Sequence, residues 1–340
     1  MSEVNTYAYA KACGIIGKSF IGKRMSSIMA LHSLSDLDRL VFPDYYHTLP
    51  SVHLLPDLQN RITIRAVNKI LSIVDSYTNP PQLIEQMLRT YEYDDFKKCI
   101  HLIAAGKKDL PPICDIGRFR TINFKAFPDL TKMLKNTDLE FLLDGELRQI
   151  TPYSDIAVIE NKIDDFFYKG LVESLYKLSD EDRWVLQRFL ADEISLRNCT
   201  YALRLRTFYE KSEEDIEKFL IDIRIHGKKK GSLTTEAIQS LDYPLNSRYQ
   251  WENWKWEELL NPEEGALHWT ADPRHFQNAA ALYLYRLAMR FFRLTPMALS
   301  AIFCFIKLIQ FEEDLLISVA EGLALGMDSA DIFSLLEVTK

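Results

Sequence analysis

The sequence predicts an all-α protein built from three copies of one helical unit. Three observations lead to this prediction. Only 12 of the 340 residues are glycine, about half the usual share. Apolar residues recur at helical spacing over long stretches, and one order of apolar, capping and acidic residues returns at a nearly constant interval. Sheet-rich and nucleotide-binding α/β folds use glycine in their turns, so its scarcity favours helices joined by short polar loops.

The clearest copy of the unit begins at Glu160 and holds two helices. Apolar residues from Ile163 to Leu178 follow helical spacing, which predicts the first helix. Ser179, with Asp182 three residues later, is typical of a helix start, because such side chains bind free amides of the first turn. The second helix then continues through Leu205.

A second copy lies 116 residues further along the chain. Phe276 to Leu294 forms the next apolar-striped segment, and Thr295 corresponds to Ser179. We expect Thr295 to cap the following helix, with Pro296 at its first position, where the missing N–H costs nothing. Phe305 then corresponds to Phe189.

A fainter copy precedes both. Ala66 to Tyr77 predicts its first helix, and Asn79-Pro80 predicts the start of the second. Tyr93 to Phe96 corresponds to Leu196 to Cys199, 103 residues later, so we expect this second helix to be about one turn shorter.

Short apolar-acidic segments lead into the units; they are residues 37–41, 139–143 and 256–260. The sequence therefore predicts three repeats, at residues 1–108, 109–230 and 231–340. We expect linkers at residues 106–112 and 227–234, and a long loop at residues 262–273 within the third repeat.

Composition narrows the possible partners. The net charge of −7 gives no general attraction to nucleic acid or to an anionic membrane. The basic run at residues 226–231 predicts a solvated loop, with an anion or membrane contact as the alternative. The five scattered cysteines indicate reduced thiols of a cytosolic protein. The polar residues Ser2 to Thr6 do not indicate a signal peptide.

No segment predicts a membrane span. The best candidate, Met297 to Ile306, has ten residues before Lys307, whereas a span needs about 20. If the protein acts at a membrane, we expect it to dock onto an embedded partner.

One segment matches the loose pattern of a phosphate-binding loop. In Ala12 to Ser19, Lys18 would bind the β- and γ-phosphates and Ser19 a magnesium ion. Such a loop follows a buried strand and opens a helix, but residues 5–11 are polar-mixed and favour a helix. Residues 155–160, the nearest imitation of a metal-binding strand, run directly into a predicted helix. We therefore favour a helix, in which two small residues allow close packing, and consider a nucleotide site the less favoured interpretation.

Other residues give no indication of catalysis. The seven histidines lack metal-ligand spacing, and His47 and His53 flank a proline-containing loop, where we expect ordinary polar residues. Adjacent acids diverge around a helix, so the pairs 164–165, 213–214 and 312–313 predict solvated faces. We expect no catalytic, cofactor-binding or metal-binding residues and no enzyme activity.

Four tryptophans cluster near one another in the third repeat; they are Trp251, Trp254, Trp256 and Trp269. Trp251 and Trp254, three residues apart, would share one face if their segment is helical. Core packing is the favoured interpretation. A protein-docking surface is the alternative, because tryptophan is enriched among interface anchors.

With these residues in view, the chain resembles the C-subunit family of V/A-type ATPases, whose eukaryotic counterpart is the d subunit of the vacuolar enzyme. The resemblance is carried by Tyr7 to Ala12 with Lys23 to Met25, by Glu160 to Tyr168, by Leu196 to Asn198 and by Phe276 to Phe333. It covers essentially the whole chain. The first repeat departs from the pattern at Asp94 to Phe96, the third at Glu312 to Asp314, and the opening helix through Gly14, Gly17 and Gly22.

The resemblance implies a funnel of three helical units around a pseudo-three-fold axis. Its open end would receive the central shaft of the ATPase head, and its other face would sit on the membrane rotor ring of proteolipid subunits. The protein would be a peripheral, non-catalytic rotor subunit at the cytoplasmic face, transmitting torque for proton or sodium transport. Two alternatives stay open: a nucleotide hydrolase using Lys18, and a general helical scaffold of solenoid type.

Overall fold

A computed structural model of the chain confirms the all-α prediction. It describes residues 3–44, 51–145, 147, 150–152, 154–225, 229–263 and 268–336, and none of these lies in a strand. In chain order, the α-helices are α1 (Glu3–Gly17), α2 (Met25–Met29), α3 (Leu34–Val41), α4 (Ser51–Val74), α5 (Gln82–Ala104), α6 (Leu130–Leu134), α7 (Ile156–Leu175), α8 (Asp180–Tyr209), α9 (Glu213–Glu217), α10 (Thr235–Asp242), α11 (Pro273–Leu294), α12 (Leu299–Ala324) and α13 (Ser329–Leu335).

Three consecutive pairs of long helices lie in the segments where the three copies are predicted. These pairs are α4 with α5, α7 with α8, and α11 with α12. The second helix is shortest in the first copy, with 23 residues in α5 against 30 in α8 and 26 in α12. Its shortening relative to α8 is seven residues, nearer two turns than the predicted one. The three-fold arrangement and the three repeat boundaries stay predictions.

The predicted helix start at Ser179 is confirmed. Its hydroxyl accepts a hydrogen bond from the Asp182 amide, and three acidic residues in the first turn of α8 favour the positive end of the helix dipole. The predicted start at Thr295 is wrong, because Thr295 ends α11 and α12 begins at Leu299. In the first copy, α5 begins at Gln82 rather than at Asn79-Pro80.

The lead-in segments differ in their kind of helix. Residues 37–41 belong to α3, whose buried face includes Leu37 and Val41. The other two form short 3₁₀ helices, Glu140–Asp144 and Glu257–Leu259. Of the predicted linkers and loop, residues 107–112, 229–234 and 268–272 have no regular secondary structure, and residues 226–228 lie outside the described part.

Residues 63–177 form one compact unit. Within it, α5 packs against α7 because both helices carry buried apolar faces, with Phe96, Ile163 and Leu171 fully buried. Lys97 Nζ lies 2.6 Å from Asp164 Oδ1, so an ion pair joins the two helices beside their apolar contact.

Residues 1–62 and 178–340 form a second compact unit. Here α8 packs against α10 and α11, and α12 packs against α11 and α1. The Phe189 and Phe303 rings meet edge to face at 5.4 Å between centroids. These two residues lie on α8 and α12, so the second helices of two copies share one core.

Candidate functional site

The segment that resembles a phosphate-binding loop is mostly helix. Residues 3–17 form α1, and Ala12 is completely buried on it. The Ser19 hydroxyl donates to the carbonyl oxygen of Ile16 at 2.7 Å, and Ser19 is 1% exposed. The amide of Lys18 is bonded to the carbonyl of Ile15. Because these amides close helical turns, they are not arranged to surround a phosphate, and the predicted helix is confirmed. The close packing expected at its two small residues is wrong, because a Cβ at Gly14 or Gly17 would meet nothing within 4 Å.

The tryptophan cluster lies in the core, as the favoured interpretation predicts. Trp251 is completely buried, and the other three are at most 8% exposed. The Trp251 and Trp254 rings meet edge to face at 5.1 Å, although only Trp251 lies in a helix, a 3₁₀ turn at Arg248–Trp251. The indole N–H groups of Trp251 and Trp254 donate to the carbonyls of Pro244 and Glu236, each at 3.0 Å. A docking role is wrong for these tryptophans, because their rings are covered within the chain.

The described histidines do not assemble a metal site. No group of three or more potential metal ligands occurs within the described ranges. His101 Nε2 lies 3.0 Å from Glu160 Oε1, and His32 lies 3.8 Å from Asp328 on the surface. His53 is an exposed residue of α4, as expected for an ordinary polar residue beside the loop, and His47 lies outside the described residues.

The acidic pairs have different environments. Glu213 and Glu214 are exposed, as predicted. The prediction is wrong for Glu312 and Glu313, which are 2% and 8% exposed on α12. Gln310 and Asp314 stand close to them in the sequence, but Ile309, Leu315 and Leu316 are buried, so α12 is covered on most of its faces here. The apolar residues on either side of the acids, such as Ile309 and Leu315, were the available signal that this segment is internal.

Buried polar side chains on α5 bind the irregular segment that follows it. Asp95, 2% exposed, accepts a hydrogen bond from the Cys114 amide at 2.6 Å. Glu92, also 2% exposed, accepts from the amide of Ile122 at 2.6 Å and from the amide of Thr121. Because charged acceptors make strong hydrogen bonds in a dry environment, this non-helical chain is fixed to the helix. The sequence patterns did not single out Glu92.

Asn198 on α8 also binds an irregular segment that follows its helix. This residue has no exposed surface. Its Oδ1 accepts from the Ile221 amide at 2.9 Å, and its Nδ2 donates to the carbonyls of Ile221 and Leu233, both at 3.0 Å. Asp95 and Asn198 are the positions matched by the 103-residue offset, and each accepts a hydrogen bond from an amide of a later segment.

Glu312 on α12 makes a bond of the same kind, one position away from the residue that an offset of 115 places opposite Asn198. Its Oε1 accepts a hydrogen bond from the Phe20 amide at 2.6 Å, between groups 292 residues apart in the chain. Phe20 is 2% exposed, so this bond is internal. All three second helices thus carry buried side-chain acceptors for backbone amides of irregular segments.

Burial raises the pKa of several thiols and phenols. It raises the pKa of Cys99 to about 12, with a smaller contribution from Asp95. Burial also raises the pKa of Cys199 and Cys304. Burial and a hydrogen bond to Asp192 raise the pKa of the Tyr283 phenol to about 12. These groups are poor nucleophiles at neutral pH, because the deprotonated form is the reactive one.

Large apolar side chains reach the surface at a few places. Trp184, Leu294 and Met297 are 59%, 58% and 36% exposed. Trp184 is near the start of α8, and Leu294 and Met297 are where α11 ends and α12 begins. These two places are close together, because the Ser300 amide at the start of α12 donates to Asp182 Oδ1, near the start of α8, at 2.8 Å. Tyr249 is 74% exposed elsewhere in this unit. Exposed aromatic residues are common anchors in protein interfaces.

The fold and these polar positions define a class of protein: an all-helical chain in which buried side chains fix irregular segments to long helices. Among the described residues, no helix has the length and apolar character that crossing a bilayer requires.

The chain belongs to the ATP synthase (C/AC39) subunit family, whose model matches residues 38–334. It is also similar to an uncharacterized protein of Treponema pallidum (strain Nichols), with 23% identity over 325 residues. That alignment covers 95% of this chain and 93% of the relative. The predicted family is confirmed, and the resemblance extends along nearly the full length of both chains.

Proposed function

We propose that the protein is a non-catalytic rotor subunit in the central stalk of a V/A-type ATPase. In this role it joins the shaft of the ATP-hydrolysing head to the membrane rotor ring and transmits torque for proton or sodium transport. The single observation that carries the proposal is the family match over residues 38–334. The match gives the ATPase complex, and the position in the stalk is our inference.

The described packing supports a mechanical role. A torque adaptor has to resist shear, and close-packed interiors have low compressibility. Long helices supply such interiors here, and buried acceptors such as Asn198 fix the segments between them. We propose that three similar helical units, at residues 1–108, 109–230 and 231–340, surround a pseudo-three-fold axis and form a funnel for the shaft. No step of this role needs a catalytic residue, a metal or a cofactor.

The proposed location is peripheral, at the cytoplasmic face of the membrane, with attachment through protein partners. The shaft subunits and the proteolipid ring would be those partners, and nucleic acid would not be one. The net charge of −7 agrees with the last point, because nucleic-acid binding rests on clustered cationic side chains.

Reconstitution tests the proposal directly. Purified head-and-shaft complex and membrane ring are mixed with or without this chain, and assembly is followed by co-sedimentation together with ATP-driven ion transport. We expect stable assembly and coupled transport only when the chain is present. Equal assembly and coupling without the chain would refute the proposal.

Two surface variants make the same experiment sharper. Trp184→Ser and Tyr249→Ser each remove an exposed aromatic ring in the same unit, 59% and 74% exposed. Both should fold normally, which circular dichroism checks. A difference between them in assembly identifies which of the two surfaces meets a partner.

The alternatives have separate tests. A hydrolase that uses Lys18 requires binding of magnesium and ATP that is lost in Lys18→Ala, which calorimetry measures. The helical conformation of residues 3–17 argues against such binding. A solenoid scaffold would give the small-angle scattering curve of an open rod, whereas the proposed funnel gives that of a compact particle.

A further inference from the structure

Two of the three second helices are followed by a crossover segment, meaning the chain between that helix and the next long helix packed against it. Helix α5 packs against α7, and the crossover between them is bound by Asp95 and Glu92. Helix α8 packs against α11, and the crossover between them is bound by Asn198. In both cases a buried side chain in the second half of the helix receives backbone amides of the crossover.

Helix α12 makes the same kinds of contact, but with residues from the beginning of the chain. Glu312 receives the Phe20 amide at 2.6 Å. It lies within one position of the residue that an offset of 115 places opposite Asn198. Near the other end of α12, Gln59 of the long helix α4 donates to Glu321 at 2.8 Å. Residues 3–41 therefore bind α12 as the other crossovers bind α5 and α8.

Further contacts extend along residues 3–41. Helices α1 and α3 pack against α12, and α2 packs against α13. The Ser329 hydroxyl, 300 residues from its partner, donates to the carbonyl of Met29 at 2.6 Å. Ala8, Ala12 and Ile28 have no exposed surface. The segment is thus integrated into the core of this unit, and the compact unit itself joins residues 1–62 to residues 178–340.

We propose that residues 3–41 are a non-covalent strap that serves as the crossover of the third helical unit, and that Glu312 is its fastening. The structural units are then circularly permuted relative to the sequence copies. One unit runs from α5 to α7, the next from α8 to α11, and the third is completed when α12 binds the strap. Of the three fastenings, only the Glu312 bond joins the first helices of the chain to the last. The proposal goes beyond the ATPase role and does not depend on it.

Hydrogen exchange of the full-length chain, followed by mass spectrometry, tests the strap. Glu312→Ala removes the acceptor of the Phe20 amide, whereas Glu312→Gln keeps an acceptor oxygen at the same distance along the side chain. We expect exchange in residues 18–31 and 325–335 to become at least about tenfold faster in Glu312→Ala, because a hydrogen bond to a charged group is lost. In Glu312→Gln the increase should be much smaller. Asn198→Ala is the matched control, and it should accelerate exchange at residues 219–233 without affecting residues 18–31.

Two outcomes would overturn the proposal. One is a folded Glu312→Ala protein with wild-type exchange at residues 18–31. The other is faster exchange everywhere, including residues 114–122, which would make Glu312 a general core residue and not a local fastening. If Glu312→Ala cannot be purified, Ser329→Ala replaces it, because that change removes only the hydrogen bond to Met29. Its exchange should rise at residues 25–33, and an unchanged rate there would contradict the strap.

Discussion

Replacing Asn198 tests whether a buried amide holds the crossover after α8. Asn198→Ala removes three hydrogen bonds of 2.9 to 3.0 Å and leaves the amide and carbonyl of Ile221 and the carbonyl of Leu233 without this partner. Ile221 and Leu233 are 0% and 2% exposed, so water cannot readily replace the side chain. An unsatisfied buried polar group costs about 1–3 kcal/mol. We therefore expect the free energy of unfolding to fall by about 3 kcal/mol or more.

Denaturant unfolding followed by circular dichroism measures this change. Asn198→Asp separates lost donors from lost volume, because aspartate is nearly the same size but places oxygen against the two carbonyls. It should destabilise the protein to a similar degree. Asn79→Ala, at an exposed position before α5, is the control and should change the free energy by less than about 0.5 kcal/mol. A loss below about 1 kcal/mol in Asn198→Ala would refute the role given to this side chain.

Three further predictions concern packing, thiols and alkaline pH. Gly322→Ala would place its Cβ 2.5 Å from Ile332 Cδ1 and should destabilise the protein by about 1–3 kcal/mol. The control is Gly14→Ala, whose Cβ meets nothing within 4 Å and which should stabilise α1 slightly. Equal melting temperatures for the two variants would contradict this prediction. A thiol reagent should modify only the exposed Cys13 in the native protein. The buried thiols should react only after unfolding; they are Cys99, Cys114, Cys199 and Cys304. Rapid modification of two or more thiols in the native protein would contradict their burial. Burial raises the pKa of the Tyr93 phenol from 10.0 to about 12. The phenol therefore loses its proton at lower pH in the unfolded state, and the free energy of unfolding should fall as pH rises from 10 to about 12. Tyr93→Phe should show a shallower fall, and identical pH profiles for the two proteins would exclude the effect.

The helices were predictable where local signals and burial agree. The apolar stripe from Ile163 and the cap at Ser179 are features of neighbouring residues, and both appear as predicted. The cap at Thr295 failed because Met297 takes a left-handed conformation, with φ of 63°. This turn occupies the residues that would have begun α12, and a cap pattern does not report such a turn.

The polar fastenings were harder to predict because their partners are distant in sequence. Nothing near Glu312 in the chain indicates that its partner is the amide of Phe20. Glu92 has the same character, since it lies 29 and 30 residues from the amides it binds. The available signal was the apolar residues on either side of the acids, such as Leu315 and Leu316 after Glu312. It indicates burial but not which backbone segment will be bound.

The separation between Phe20 and Glu312 has a consequence for biosynthesis. A ribosome adding about 5–20 residues per second needs roughly 15–60 s to make the 292 residues between them. During that time, the apolar residues of α1 and α2 wait without the surface that covers them in the finished protein. The nascent chain therefore offers chaperones a defined early target, and folding of the first helices to be synthesised is completed among the last.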